Sequence, residues 1–207
     1  MSECGCEIEI KDQAQKRVLY WLLAINATMF VIEISLGWIA ESTALIADSI
    51  DMLADAIVYS IGLYAVGRSL IDKAKAALVS GYFQATLGLL ILVDIVRRLI
   101  VGSEPVSELM MIVGVAALIA NIICLMLISK HKEGEVHMRA SWIFSTNDVI
   151  ANLGVICGGL LVWWFDSLWP DISSGIVISI VILRGAKRIF EDAKNELSNQ
   201  KRMSPQH

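Results

Sequence analysis

Six apolar runs joined by short polar connections take up nearly the whole chain, at residues 18–40, 42–67, 74–101, 106–129, 140–165 and 172–183. A helix needs about 20 mostly apolar residues to cross the roughly 30 Å hydrocarbon core of a bilayer. Runs of this length and number therefore predict an all-α integral membrane protein with six transmembrane helices, because only helices and closed barrels satisfy their backbone groups in lipid. The sixth run is short. It continues helically through Arg184, Lys187 and Arg188 into residues 191–196, and those cations mark where it leaves the membrane. Of the 207 residues, 56% are hydrophobic, and the mean hydropathy is +0.64. The charges gather in a few places instead of recurring every few positions, which excludes an ordinary water-soluble globule.

The remaining segments are small. Residues 1–17 form a polar tail containing Cys4-Gly5-Cys6, residues 18–196 form the six-helix domain, and residues 197–207 form a second short tail. The first apolar run is full length and lacks a small-residue cleavage pattern, so no removable signal peptide is expected. Four cysteines, two of them within apolar runs, do not make a secreted disulfide framework. The net charge of −4 says little by itself, because several of the acids sit inside apolar stretches, and nucleic acid is not an expected partner.

Orientation follows from the short loops. Lys11, Lys16 and Arg17 precede the first span; Arg68, Lys73 and Lys75 join the second to the third; Lys130, Lys132 and Arg139 join the fourth to the fifth; the C-terminal tail is basic. The other connections hold Glu41, Glu104, Glu108, Asp166 and Asp171. Alternate loops are basic, which predicts cytoplasmic N- and C-termini. Arg97 and Arg98 are discordant near the outer end of the third span and are expected to snorkel to the headgroups. Trp163, Trp164 and Trp169 fit an interfacial aromatic belt.

Acids inside the apolar runs carry the chemistry. Asp48, Asp51 and Asp55 are spaced by three and four residues, so a helix stacks them along one face. A charge near the bilayer centre costs a few kcal/mol on the more lenient scale, about 2.5–3.5, and like charges side by side add to that. No basic residue stands in a neighbouring span to pair them. A bound cation or protonation is required, and either is a functional device. On the fifth span Asp148 shares its face with Ser145 and Asn152, while Asn147 lies about a quarter turn away. Asn152 and Ser145 serve either as outer partners of Asp148 or as polar contacts between helices, with the second reading favoured. Asn26, Gln84 and Asn121 read as interhelical hydrogen-bonding groups. Glu33 and Asp94 read as single acids that pair with a neighbour or lie near an interface. Cys124 and Cys157 read as small packing residues. Cys4 and Cys6, one residue apart with Glu7 and Glu9 nearby, can chelate a soft ion or can be incidental to a mobile tail.

The stretch ESTALIADSIDMLADAIVYSIGLYAVGRS from Glu41 resembles the second transmembrane helix of the cation diffusion facilitator family, and RASWIFSTNDVIANLGVI from Arg139 is similar to its fifth. The likeness covers nearly the whole membrane portion, including Trp169-Pro170-Asp171 and the Arg-rich end of the last helix. By resemblance, Asp51 and Asp55 supply half of a tetrahedral metal site, Asp148 supplies part of the other half, and Asp48 matches a further acid common in the second helix. Phe144 stands where the family has a His. The family implies a homodimer that exports a divalent metal in exchange for protons. Members commonly carry a cytoplasmic metal-binding domain after the sixth helix; this chain stops at His207, so a short member without that domain is expected.

Losing the His leaves a carboxylate set, and oxygen-rich sites suit harder ions such as manganese better; zinc remains the ion the resemblance implies by default, with manganese, iron, cobalt and cadmium as the other candidates. The sequence therefore predicts a divalent transition-metal efflux carrier and not an enzyme. The metal is substrate rather than cofactor, protons compete for the same oxygens, and the plasma (inner) membrane of a prokaryote is the expected location. The alternative is a non-transporting metal-binding or accessory protein that keeps the transporter fold.

Overall fold

The computed structural model describes residues 2–39, 43–102, 108–165, 167 and 169–203. Among them are six helices: α1 (Ser2–Ile39), α2 (Thr43–Ala65), α3 (Leu70–Val101), α4 (Glu108–Ser129), α5 (Val136–Phe165) and α6 (Trp169–Met203). Three segments, Ile10–Leu36, Leu70–Val101 and Ile112–Ser129, are long and apolar enough to cross a membrane by length and composition alone. Among the described residues, α2 falls short of that strict measure because Asp48, Asp51 and Asp55 interrupt it, and α6 because its second half is charged.

Helix limits follow local chemistry. Ser69 caps α3, its hydroxyl accepting from the Asp72 amide at 3.2 Å and donating to the Asp72 carboxylate at 2.7 Å. That cap starts the helix four residues before the apolar run does. Gly67, at φ 75°, makes the reversal between α2 and α3 that a side chain would strain. α1 begins at Ser2, so the N-terminal tail is helical and not a loose extension. The fully buried Gln15 anchors that extension by donating to Glu135 at 3.0 Å.

The bundle has an apolar outside and a partly polar inside. Trp21, Val93, Ile112, Met126, Leu160 and Val177 are exposed, whereas Gln15, Asn26, Glu33, Asp55, Gln84 and Ser145 are buried. In water this pattern is unfavourable; in lipid it is expected, because apolar chains face the solvent and polar groups join helices. One core cluster unites α1, α2, α4 and α5 through Leu19, Leu22, Tyr59, Cys124, Ile128 and Met138. A second unites α3, α5 and α6 through Ala74, Ala77, Val136, Ala140, Ile143 and Ile189. α3 and α6 approach closely at Gly88, where a Cβ would lie 2.9 Å from Leu183 Cγ, and the Ser179 hydroxyl donates to the Gly88 carbonyl at 2.9 Å. α5 thus belongs to both clusters and is the helix against which the two halves pack.

The isolated polar residues divide. Asn26 donates across the bundle to the Cys124 sulfur at 3.4 Å and to its own Leu22 carbonyl, which matches the interhelical role expected of it. Arg97 and Arg98 differ from expectation in part. Both sit on the Asp94 carboxylate, at 2.8 and 2.6 Å, since residues three and four apart share a helix face. Asp94 is therefore the paired acid that the sequence allowed it to be. Cys124 is buried in the first cluster, but Cys157 is exposed and packs in no core. Trp164 and Trp169 are exposed, in keeping with a belt; the side chain of Trp163 lies outside the described residues.

Candidate metal centre

α2 and α5 cross in the middle of the bundle, and their acids meet there. The Asp55 and Asp148 carboxyls hydrogen-bond to each other, Asp55 is 3% exposed, and Asp148 keeps a second oxygen, Oδ2, buried without a partner. Two carboxyl groups joined in this way hold a proton between them, since a carboxylate has only acceptors. A cation between them can take that proton's place. Among the described residues no Lys or Arg pairs with Asp48, Asp51, Asp55 or Asp148, although five such cations are engaged elsewhere in ion pairs.

Asp51 and Asp48 follow Asp55 up the same face of α2, one and two turns away. Asp51 is exposed and Asp48 half-buried, so the acidic row opens from a closed pair towards the bundle surface. The structure thus brings together two of the three expected ligands. Among the described residues, no three His, Cys, Asp or Glu side chains converge closely enough to hold one metal ion. Phe144, where a nitrogen donor is expected, is wholly buried. Asn152 is half-buried beside Asp148, and Asn147 is buried against the backbone of Gly185 on α6. The side chains of Cys4 and Cys6 lie outside the described residues.

Two neighbours of the acidic row escape a reading of the sequence that looks for acids on α2 and α5 alone. Tyr59, fully buried one turn beyond Asp55, lies within electrostatic reach of Asp55 and Asp148 and faces the Ser145 hydroxyl. Its signal is the four-residue spacing from Asp55, which puts it on the same face. Glu33 of α1 is fully buried with both carboxylate oxygens unpartnered, and its charged neighbours are Asp48 and Asp51. Its carboxylate has no hydrogen-bond partner of the kind the sequence reading allowed for, and the packing of α1 on α2 sets it beside the acidic row.

The end of the bundle that carries Lys73 and Glu135 is organised differently. Lys73 Nζ lies 2.7 Å from Glu135, which also accepts from Gln15, and Arg139 lies 3.1 Å from Asp192 and donates to the Gly134 carbonyl. Burial pushes the Glu135 carboxyl up, but the Lys73 and Gln15 hydrogen bonds and the charge of Lys73 and Lys11 outweigh it and hold the group below its ordinary value. α1, α3, α5 and α6 are fastened together there.

Comparison with known proteins gives a consistent result. Residues 19–198 match the cation efflux transmembrane domain. The chain is similar to the zinc transporter ZitB of Escherichia coli (strain K12), at 27% identity over 200 residues covering 90% of this chain and 64% of ZitB. It is also similar to the metal cation efflux system protein CzcD of Cupriavidus metallidurans, at 25% identity over 88% of this chain and 61% of that protein. The cadmium, cobalt and zinc/H(+)-K(+) antiporter of Bacillus subtilis shares 21% identity over 88% of this chain and 63% of its own length. The chain spans a little under two thirds of the length of these relatives.

Proposed function

The chain belongs to the cation efflux transmembrane family, and on that premise we propose that it exports a divalent transition-metal ion from the cytoplasm in exchange for protons. The observation that carries this reading is the buried Asp55–Asp148 pair, a proton-holding site that has no Lys or Arg beside it among the described residues. In the proposed cycle a metal ion arriving from the cytoplasm displaces the shared proton, with Asp51 closing in as a third ligand and Asp48 supporting it from the next turn. Protons from the far side then compete for the same oxygens and release the metal. Asn152 stands ready as a further oxygen donor, and Cys4 and Cys6 as a soft-ion capture pair.

Six spans, cytoplasmic termini, a homodimer and a prokaryotic plasma membrane complete the proposal. The relatives are named for zinc, cadmium and cobalt. The oxygen-rich set here extends the candidate substrates to manganese and iron. Metal uptake into inverted vesicles, with and without a proton gradient, tests the assignment. Gradient-dependent accumulation that disappears in Asp51→Ala supports it; equal uptake by that variant removes Asp51 from the site.

Phe144 favours a second reading, in which the protein binds metal without carrying it. A bulky apolar side chain fills the place of a ligand, and the third carboxylate stands apart from the pair. Stoichiometric metal binding by purified protein that gives no vesicle accumulation under any gradient selects this alternative. Phe144→His discriminates further: a shift of preference towards zinc in calorimetry identifies residue 144 as facing the ion.

A further inference from the structure

His137 sits in the first turn of α5, 2% exposed, with both ring nitrogens buried and neither hydrogen-bonded. An imidazole normally uses both nitrogens when buried, so an unpartnered one marks a place for a ligand or water. Its flanking residues show which way it faces. Val136 packs into the α3–α5–α6 cluster and Met138 into the α1–α2–α4–α5 cluster, so the residue between them points at the seam where those clusters meet, the side occupied by α2.

The same face of α5 carries Ser141, Phe144 and Asp148, four, seven and eleven residues on. Ser141 lies against Gly62 of α2, where a Cβ would come 3.2 Å from its hydroxyl oxygen. Ser145, also without a hydrogen bond of good geometry, faces Tyr59. Buried polar atoms with no partner therefore recur along the α2–α5 seam from His137 to Asp148 Oδ2, a length of about 16 Å at 1.5 Å per residue. Phe144, wholly buried, interrupts them midway.

We infer that His137 is a cation-binding residue at the cytoplasmic mouth of the α2–α5 seam, supplying the nitrogen donor absent at position 144 and passing the ion past Phe144 to Asp55 and Asp148. The inference rests on the transport reading and adds to it a specificity-determining residue. Burial pushes the imidazole down to about 4, against the opposing pull of Glu135, with Lys73 and Lys11 adding to the depression. At neutral pH the ring is thus uncharged, with a lone pair free for a metal. The nearest cation, Lys73, is neutralised by its ion pair with Glu135. Imidazole suits zinc and cobalt better than manganese, so a nitrogen station ahead of an oxygen site selects among ions that the carboxylates alone accept.

The test is initial-rate uptake of zinc and of manganese by inverted vesicles containing the full chain, with a proton gradient, alongside calorimetric zinc titration of the purified protein. In His137→Ala the zinc KM rises about tenfold, the lower end of what disturbing a metal site costs, while the saturated rate stays within about twofold and the manganese KM changes little. His137→Gln keeps the volume and the hydrogen-bonding capacity; a metal donor gives it the alanine variant's KM, and a packing residue gives it the wild-type KM. An unchanged zinc KM in both variants, or a fall in saturated rate alone, overturns the inference. If wild-type vesicles accumulate no metal, the transport reading falls, and the titration still decides His137: a weakened or lost zinc isotherm in both variants upholds it, and an unchanged one overturns it.

Discussion

The two ends of the α2–α5 seam treat buried charge in opposite ways. At the Lys73–Glu135 end the buried and half-buried charges are paired: Glu135 holds Lys73 and Gln15, and Arg139 holds Asp192 and a backbone carbonyl. At the Asp55–Asp148 end acids meet acids, and Asp148 Oδ2 and both Glu33 oxygens go without partners. This chain evidently can pair a buried acid with a cation. On the proposed transport reading, the positive charge missing elsewhere is one that comes and goes: paired charges fasten helices, and the unpaired acids are kept open for an exchangeable cation or proton.

The largest effect expected from this contrast is at Asp148. Asp148→Asn removes the proton-sharing partner of Asp55, and vesicle uptake should fall on the order of 100-fold, to the background of empty vesicles. Folding should not suffer, because the change removes one of two like acids from a dry site. The melting temperature in detergent should hold, or rise by about 2–4 °C for each kcal/mol of relief. Preserved uptake would break the comparison, and a collapse in melting temperature would recast Asp148 as structural.

Much of this was legible in the sequence, for specific reasons. The six helices follow from apolar run length, and the acidic row on α2 follows from the three- and four-residue spacings of Asp48, Asp51 and Asp55, both purely local signals. The meeting of Asp55 with Asp148 is not local. It was inferred from family resemblance, and only the packing of α2 on α5 makes it a contact. Glu33 and His137 were illegible because each joins the seam through the rotation of its helix, which spacing within one segment does not report, whereas Tyr59 carried a signal in its four-residue spacing from Asp55. The α1 extension to Ser2 was missed because its anchor, Gln15 on Glu135, spans 120 residues. Arg97 and Arg98 were read from the topology of the loops when the nearer fact was Asp94 three and four positions back.

The next effect belongs to the paired end. The Lys73 and Glu135 side chains are 7% and 20% exposed, so Lys73→Met leaves a largely buried carboxylate without its cation. A loss of about 3 kcal/mol is expected, the low end for breaking a buried pair because Glu135 keeps some solvent. The double variant Lys73→Met with Glu135→Met should regain most of it, since two apolar chains leave no orphan charge. Denaturant melts of both variants in detergent check this. A double variant as weak as the single one would mean that the pair does more than fasten α3 to α5.

Acid should loosen the same end in a defined window. His137 is depressed from 6.5 to about 4 by burial, so below pH about 6.5 the unfolded chain takes up a proton that the folded protein refuses. Its contribution is complete above pH about 6.5 and is lost as pH falls towards about 4, reaching at most about 3 kcal/mol at 1.36 kcal/mol per unit. Glu135, held below its ordinary value, adds a loss only under pH about 4.5, because its stabilisation is present above the unfolded carboxylate's range. Relative to His137→Gln, the wild-type melting temperature should therefore fall already between pH about 6.5 and 5. The two should share the later loss. Wild-type and His137→Gln melting temperatures that run parallel down to pH about 4.5 would show that His137 accepts a proton in place.

The smallest effect sharpens the comparison most, because it concerns an acid in an apolar run that is paired. Asp94 sits between Arg97 and Arg98 with its side chain 40% exposed, and both guanidinium groups are themselves well exposed. Such pairs contribute little, about 0.5 kcal/mol, because solvent and headgroup water screen them and the side chains give up freedom to make them. Asp94→Asn should therefore shift the melting temperature by about 2 °C or less and leave metal uptake within about twofold of wild type. The same Asp-to-Asn chemistry would then silence transport at residue 148 and spare it at residue 94. If instead Asp94→Asn also abolished uptake, an acid's role would be set by its presence in the membrane domain rather than by its lack of a partner.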